Sequence, residues 1–242
     1  MNYNLLIDIG NSFSKIAVAE NGEIVKEYRN EHSSLMSGIE EIFNQKGKAH
    51  IIIISDVKKI FGEKDLKGRY CDELIILNSS VGLPIGLDYK TPETLGADRI
   101  AGAVGAHSLF PGENCLIFDF GTAITIDVID KNGRFSGGNI SPGMSMRFHA
   151  MHHYTGSLPL VSPQDVRSLA GRETEEAINN GVVLGIVFEI ENYINKYKDF
   201  RIIFTGGDAI FFAKKLNFAI FVVYNLVLRG LLKIAEFNDS EK

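Results

Sequence analysis

The sequence predicts an α/β protein of two lobes, each opening with a β-hairpin, and three observations predict it. The first is a segment that occurs twice. Leu5-Leu6-Ile7-Asp8-Ile9-Gly10-Asn11-Ser12 is an apolar strand running into Asp-x-Gly-polar, and Leu116-Ile117-Phe118-Asp119-Phe120-Gly121-Thr122-Ala123 has the same form 111 residues later. The second is that short apolar runs alternate with helix-period patterns along the remaining chain. The third is Pro111-Gly112-Glu113-Asn114, which breaks the pattern between the copies. A first lobe over 1–113 and a second over 114–242 are expected.

The duplication extends past the turns. Residues 15–19 and 125–129 both read as strands, and each leads into Asn-Gly, at Asn21-Gly22 and Asn132-Gly133. Asn-Gly between apolar runs predicts a type I′ hairpin turn, because both central residues of that turn need positive φ. Further along, 51–55 and 74–77 read as buried strands. Residues 95–109 carry small side chains at helical spacing, and 173–197 reads as a long amphipathic helix with Glu191 and Asn195 on its polar side. Residues 201–205 form a buried strand ending in Gly206-Gly207-Asp208-Ala209, a strand-to-helix turn. Residues 222–228 read as a last strand or a helix start.

Composition narrows the function classes. With 242 residues, 45% of them hydrophobic, the chain can bury a sizeable core and reads as an ordinary globular protein. Its net charge of −5 with no Lys/Arg cluster argues against a nucleic-acid partner. Two cysteines, Cys71 and Cys115, cannot form a disulfide framework and suit a reducing compartment. The N-terminus shows no basic segment or small-residue cleavage site, and no apolar run is long enough to span a bilayer. A cytoplasmic protein without a membrane partner is expected.

The two Asp-x-Gly turns carry chemistry. Glycine lets a ligand approach the backbone, and Asn, Ser and Thr with neighbouring N–H groups hydrogen-bond phosphate oxygens. An aspartate faces phosphate only when a cation or its water lies between them. One such turn alone would be an ordinary turn. Two copies with matching strands and hairpins predict a nucleotide's phosphate tail held from both sides.

With these turns stand Gly96-Ala97-Asp98-Arg99, Gly138-Asn139-Ile140-Ser141-Pro142-Gly143, Thr205-Gly206-Gly207-Asp208-Ala209 and Asn225-Leu226-Val227-Leu228-Arg229-Gly230-Leu231. In this order the set resembles the type III pantothenate kinases, over residues 8–231. The resemblance implies two actin-like (ribonuclease H-like) lobes, a homodimer, and transfer of the γ-phosphate of ATP to pantothenate, the first step towards coenzyme A. It assigns Asp8, Ile9, Gly10, Asn11, Ser12, Phe13, Ser14 and Lys15 to the ATP phosphates, with Thr122 as the facing contact. Asp119 matches the ligand of a monovalent cation, potassium or ammonium, and magnesium accompanies the ATP. Tyr89, Gly96, Ala97, Asp98, Arg99 and Thr174 match pantothenate-binding positions, and Asp98 matches the general base. Ser12 stands where the family more often has Thr; the hydroxyl is kept.

The residue types suit the reaction. Phosphoryl transfer to an alcohol needs a positioned ATP tail, neutralised charge and an acceptor for the hydroxyl proton. Asp98 supplies the last if it reaches the hydroxyl, and a guanidinium at Arg99 suits the acceptor's carboxylate or amide oxygens. Without the resemblance, an Asp–Arg pair near a helix start is an ordinary structural ion pair. His149, His152 and His153 sit in a Met- and aromatic-rich stretch that suits a packing or dimer-contact helix better than a metal site. Lys58-Lys59 and Lys214-Lys215 read as solvated pairs. Two competing readings remain at this point: a kinase of another small alcohol on the same fold, and a catalytically silent ATP-binding relative that regulates.

Overall fold

The structure, a computed structural model, describes residues 3–58 and 66–240. Lys59 of the Lys58-Lys59 pair lies outside the described residues. Tertiary contacts divide the chain into two compact units. The first holds residues 1–113, 128–137 and 225–242, and the second holds 114–127 and 138–224. Residues 128–137 and 225–242, grouped with the second lobe by a single cut at 113/114, thus pack with the first unit.

The first unit is built on strands β1 (Asn4–Ile9), β2 (Ser14–Glu20), β3 (Glu23–Asn30), β4 (Ala49–Asp56) and β5 (Cys71–Ile76), in the order β3-β2-β1-β4-β5. β1 pairs antiparallel with β2 and parallel with β4. The run Ile51-Ile52-Ile53-Ile54 is buried throughout because both faces of the sheet are covered. Leu5, Ile7, Ile9, Ile52 and Ile54 point to one face, where they join Leu35, Ile39 and Ile42 of α1 (Leu35–Lys46) in one core cluster. Each such buried Leu or Ile contributes about 1.5–3 kcal/mol.

The opposite face takes α2 (Ala97–Leu109) and α6 (Leu226–Ser240). Strand parity therefore turns Leu6 and Asp8 towards these helices. The small residues of α2 exist for this packing. A Cβ on Gly105 would stand 2.4 Å from the Leu226 carbonyl oxygen, and one on Gly230 would stand 1.8 Å from that of Ala101. The two backbones approach at both points as only glycine allows. The 222–228 stretch resolves into the end of β11 (Ile220–Val222) and the start of α6.

The second sheet has the order β11-β10-β7-β8-β9-β6, from β6 (Gly86–Leu87), β7 (Cys115–Phe120), β8 (Ala123–Ile129), β9 (Arg134–Pro142), β10 (Arg201–Gly206) and β11. In the second unit its core is aromatic: Phe204 packs edge-on to Phe118 at 5.1 Å and to Phe120 at 4.8 Å, and Phe120 stacks on Phe212 of α5 (Ala209–Ala213) at 5.2 Å. α4 (Thr174–Lys196) buries Ile178, Val182, Ile186, Ile190 and Ile194, a stripe at four-residue spacing. α3 (Met144–His153) buries only Met144 and Phe148. Among the described residues no helix is long and apolar enough to cross a membrane.

The two hairpin turns differ from each other. Asn21 and Gly22 have φ of 52° and 79°, as a type I′ turn requires. At the second, only Gly133 is positive, at 75°. There Asp130 accepts from the backbone N–H of Asn132 and Arg134 at 2.9 and 2.8 Å, and its carbonyl accepts from the Gly133 N–H at 3.0 Å. The aspartate ahead of Asn-Gly thus stabilises a type I turn closed by a left-handed glycine, and overrides the I′ expectation.

Candidate active site

In the first unit the turn from β1 to β2 carries the first Asp-x-Gly. Gly10 donates its N–H to the Phe13 carbonyl at 3.1 Å, which leaves Asn11, Ser12 and Phe13 exposed at the tip and Ser14 buried at its foot. Across the sheet, register lines up Ser55 of β4, Asp8 of β1, Lys15 of β2 and Arg29 of β3. Directly opposed residues share a face, so this is one polar row crossing four strands.

Asp8 is the sensitive member of the row. It is 9% exposed, and its Oδ1 has no hydrogen-bond partner among the described residues. Burial pushes its pKa up from 3.8 to about 6; Lys15 and the Ser55 hydroxyl pull it down, while the negative charge of Asp98 pushes it up. The interaction with Asp98 places the α2 start within electrostatic reach of the β1–β2 turn.

Asp98 lies in the first turn of α2, half-buried, with Oδ1 accepting the Arg99 N–H at 2.9 Å. Burial raises its pKa above the usual carboxylate range, opposed by that N–H and by the Arg99 charge. A Cβ on Gly96 would come 2.5 Å from Asp98 Oδ1, so a side chain there would displace the carboxylate from its present position. Arg99 is buried, with its guanidinium 5.8 Å from the centre of the Phe135 ring. Tyr89 packs on the same ring at 6.1 Å, because β6 pairs with β9 through Leu87 and Phe135. Tyr89, Arg99 and Phe135 thus form one group beside Asp98. Phe135 carried no sequence signal; only the pairing of a two-residue strand brings it here.

In the second unit Asp119 lies on the face of β7 opposite Phe118 and Phe120. Thr122 sits exposed in a two-residue turn between β7 and β8, where Gly121 donates to the Ala123 carbonyl at 3.1 Å. The first copy of this turn has four residues, so the duplicated segments end in loops of different length. Gly206, at φ 91°, closes against Asp119: a Cβ there would lie 2.5 Å from both Asp119 Oδ1 and the Phe120 carbonyl oxygen. Thr174 begins α4 and is exposed; nearby, Glu176 accepts the Arg172 N–H at 2.7 Å. Asp208 is half-buried, and burial raises its pKa.

The histidines of α3 are engaged locally. His149 Nδ1 lies 2.8 Å from the Ser145 carbonyl oxygen, His152 Nδ1 lies 2.8 Å from that of Leu158, and His153 packs edge-on to Tyr154. Among the described residues no three His, Cys, Asp or Glu side chains converge on a metal position. Cys71 and Cys115 are both buried.

Comparison with known proteins decides the family. The family model described as Type III pantothenate kinase matches residues 4–196. A Type III pantothenate kinase from Cytophaga hutchinsonii is 40% identical, with 97% of this chain and 99% of that protein covered. One from Phocaeicola vulgatus is 39% identical over 98% and 99%. The chain belongs to the type III pantothenate kinase family. Among solved structures, a Baf family protein from Campylobacter jejuni, named as a transcriptional activator, is 26% identical with a TM-score of 0.67, covering 98% of this chain and 99% of its own. MreB5 of Spiroplasma citri bound to ADP has a TM-score of 0.52 at 12% identity, covering 100% and 99%. That second likeness shows a shared fold, and the actin-like α/β class expected for this kinase family is the one found.

Proposed function

We propose that this protein phosphorylates pantothenate with ATP to give 4′-phosphopantothenate, the first step of coenzyme A synthesis, with Asp98 as general base. The observation that carries the reading is the surroundings of Asp98. Its carboxylate is electrostatically coupled to Asp8 of the phosphate turn and stands beside the Arg99–Phe135–Tyr89 group. In the reaction the acceptor hydroxyl oxygen bonds to the γ-phosphorus, the bond to the ADP oxygen breaks, and the hydroxyl proton passes to Asp98. A carboxylate whose pKa is raised by burial takes up that proton more readily at neutral pH. Arg99 suits the acceptor's carboxylate, and Tyr89 and Phe135 suit its apolar body.

The turns 8–15 and 121–122 are assigned to the ATP phosphates. Asp8, buried with an unpartnered oxygen, fits a magnesium ion shared with phosphate, since Mg²⁺ is held by one or two carboxylates and otherwise by water and substrate oxygens. Bound there, the ion would neutralise charge on the phosphate tail. Asp119 Oδ1 and the Phe120 carbonyl crowd the space over Gly206, an all-oxygen cradle that fits potassium or ammonium. Thr174 is assigned to the acceptor. The enzyme acts in the cytoplasm as a homodimer. Exposed apolar side chains of the second unit, Ile140, Met146, Met151, Tyr154 and Phe188, support self-association there.

The test is ADP release with pantothenate against a panel of other primary alcohols, omitting ATP, Mg²⁺ and K⁺ in turn. Turnover confined to pantothenate, and lowered by about 10²–10⁴-fold in Asp98→Asn, is expected. Faster turnover of another alcohol would sink the acceptor assignment, and unchanged turnover in Asp98→Asn would sink the role of Asp98.

A further inference from the structure

The segment after β3 holds a side chain that the reading of the phosphate turn leaves unused. His32 is half-buried, with Nδ1 2.7 Å from Ser14 Oγ and Nε2 3.3 Å from the Asn11 carbonyl oxygen. One ring therefore bridges the buried foot of the turn and its exposed tip. The partners dictate the ring's hydrogens. A carbonyl only accepts, so Nε2 carries the proton and donates to Asn11; in the neutral ring Nδ1 then accepts the Ser14 hydroxyl proton.

Two consequences follow for the turn. With its hydroxyl hydrogen directed to His32, Ser14 is held in one rotamer. With the Asn11 carbonyl drawn to the ring, the N–H of the Asn11–Ser12 peptide points the opposite way, because a trans peptide sets the two groups antiparallel. The other side of the tip is held as well: the Arg29 guanidinium lies 4.0 Å from the centre of the Phe13 ring. Arg29 and His32 lie three residues apart, so a single short segment braces the tip from both sides.

We propose that His32 is a positioning residue for the nucleotide's phosphate tail, which fixes the Asn11–Ser12 peptide with its N–H directed at a phosphate oxygen. The inference rests on the turn 8–15 being the ATP site. Pre-set donors bind anions better than donors that must be ordered on binding, so the loss is felt in nucleotide affinity.

The test reads equilibrium binding of ATP with Mg²⁺, KM for each substrate and thermal stability in wild type, His32→Ala, His32→Gln and His32→Asn. His32→Ala should weaken ATP binding about tenfold, as losing an orienting hydrogen bond does. KM for pantothenate should stay within about twofold. His32→Gln, whose amide nitrogen falls near the position of Nε2 and can donate to Asn11, should restore most of the affinity, whereas His32→Asn reaches only Ser14 and should not. Unchanged ATP affinity in His32→Ala overturns the proposal. So does equal loss for both substrates with a large fall in melting temperature, or a wild type that does not bind ATP. A wild type that binds ATP but leaves pantothenate untouched refutes the acceptor assignment alone, and the His32 comparison still stands on affinity.

Discussion

Replacing Asp8 by Asn tests the electrostatics at the foot of the β1–β2 turn through stability alone. In the folded protein burial raises the Asp8 pKa from 3.8 to about 6, so between these values the unfolded chain has lost a proton that the folded chain keeps. A group raised in this way favours folding at low pH, and that contribution is lost as pH rises through about 6. A carboxyl raised by burial from 3.8 to about 6 makes its ionised form cost the folded protein about 3 kcal/mol at pH 8. Asn keeps the shape and removes the charge. Asp8→Asn should therefore be more stable than wild type at pH 8 by up to about 3 kcal/mol, or about 6–12 °C in melting temperature for a chain of this length. The advantage should vanish at about pH 4. Thermal melts from pH 4 to 8 in nucleotide- and Mg²⁺-free buffer measure it. Adding Mg²⁺ and ATP at pH 8 should stabilise wild type and leave the variant nearly unmoved. A stability difference that is the same at pH 4 and pH 8, or that favours wild type more as pH rises, would refute the reasoning.

Two further substitutions probe the scaffold. Gly230→Ala places a methyl 1.8 Å from the Ala101 carbonyl oxygen, so α2 and α6 must separate. We expect a loss of about 1–3 kcal/mol or more by denaturant titration, together with reduced turnover because α2 carries Asp98, the proposed general base. Gly206→Ala meets both a positive φ and the Asp119 carboxylate. Its expected cost is about 1–3 kcal/mol, and dependence of turnover on K⁺ should weaken; an unaltered K⁺ titration would remove Gly206 from the proposed cation cradle.

These expectations draw unequally on the chain and on its folding. The strands of the duplicated hairpins, the helix over 97–109, the long helix over 174–196 and the glycine-ended strand at 206 were legible because each is written in neighbouring residues: alternation, small side chains at helical spacing, Asp-x-Gly. So was the candidate set around Asp8 and Asp98, although the carry-over of roles rests on family likeness. Neighbourhood was not legible. Asp8 and Asp98 are ninety residues apart, and only the parity of β1 and the packing of α2 on that face make one carboxylate feel the other. Phe135 reaches Tyr89 and Arg99 through a two-residue strand that has no periodicity to read. His32 meets the β1–β2 turn through a ring hydrogen bond that no spacing announces.

The two hairpin turns show where the division falls. From the sequence alone both read as type I′, since Asn-Gly carries the same local preference at each; at the second, Asp130 accepts two backbone N–H groups and selects a type I turn instead. The last helix shows it at larger scale. The sequence left 222–228 open as a last strand or a helix start, and which unit the helix from Leu226 would complete was settled by the backbone approach of Gly230 to Ala101 and of Gly105 to Leu226. Local pattern determined which elements form, because their preferences act over a few residues. Tertiary structure decided which elements share a face, and hence which charges are buried together, because that depends on packing between residues far apart in the chain.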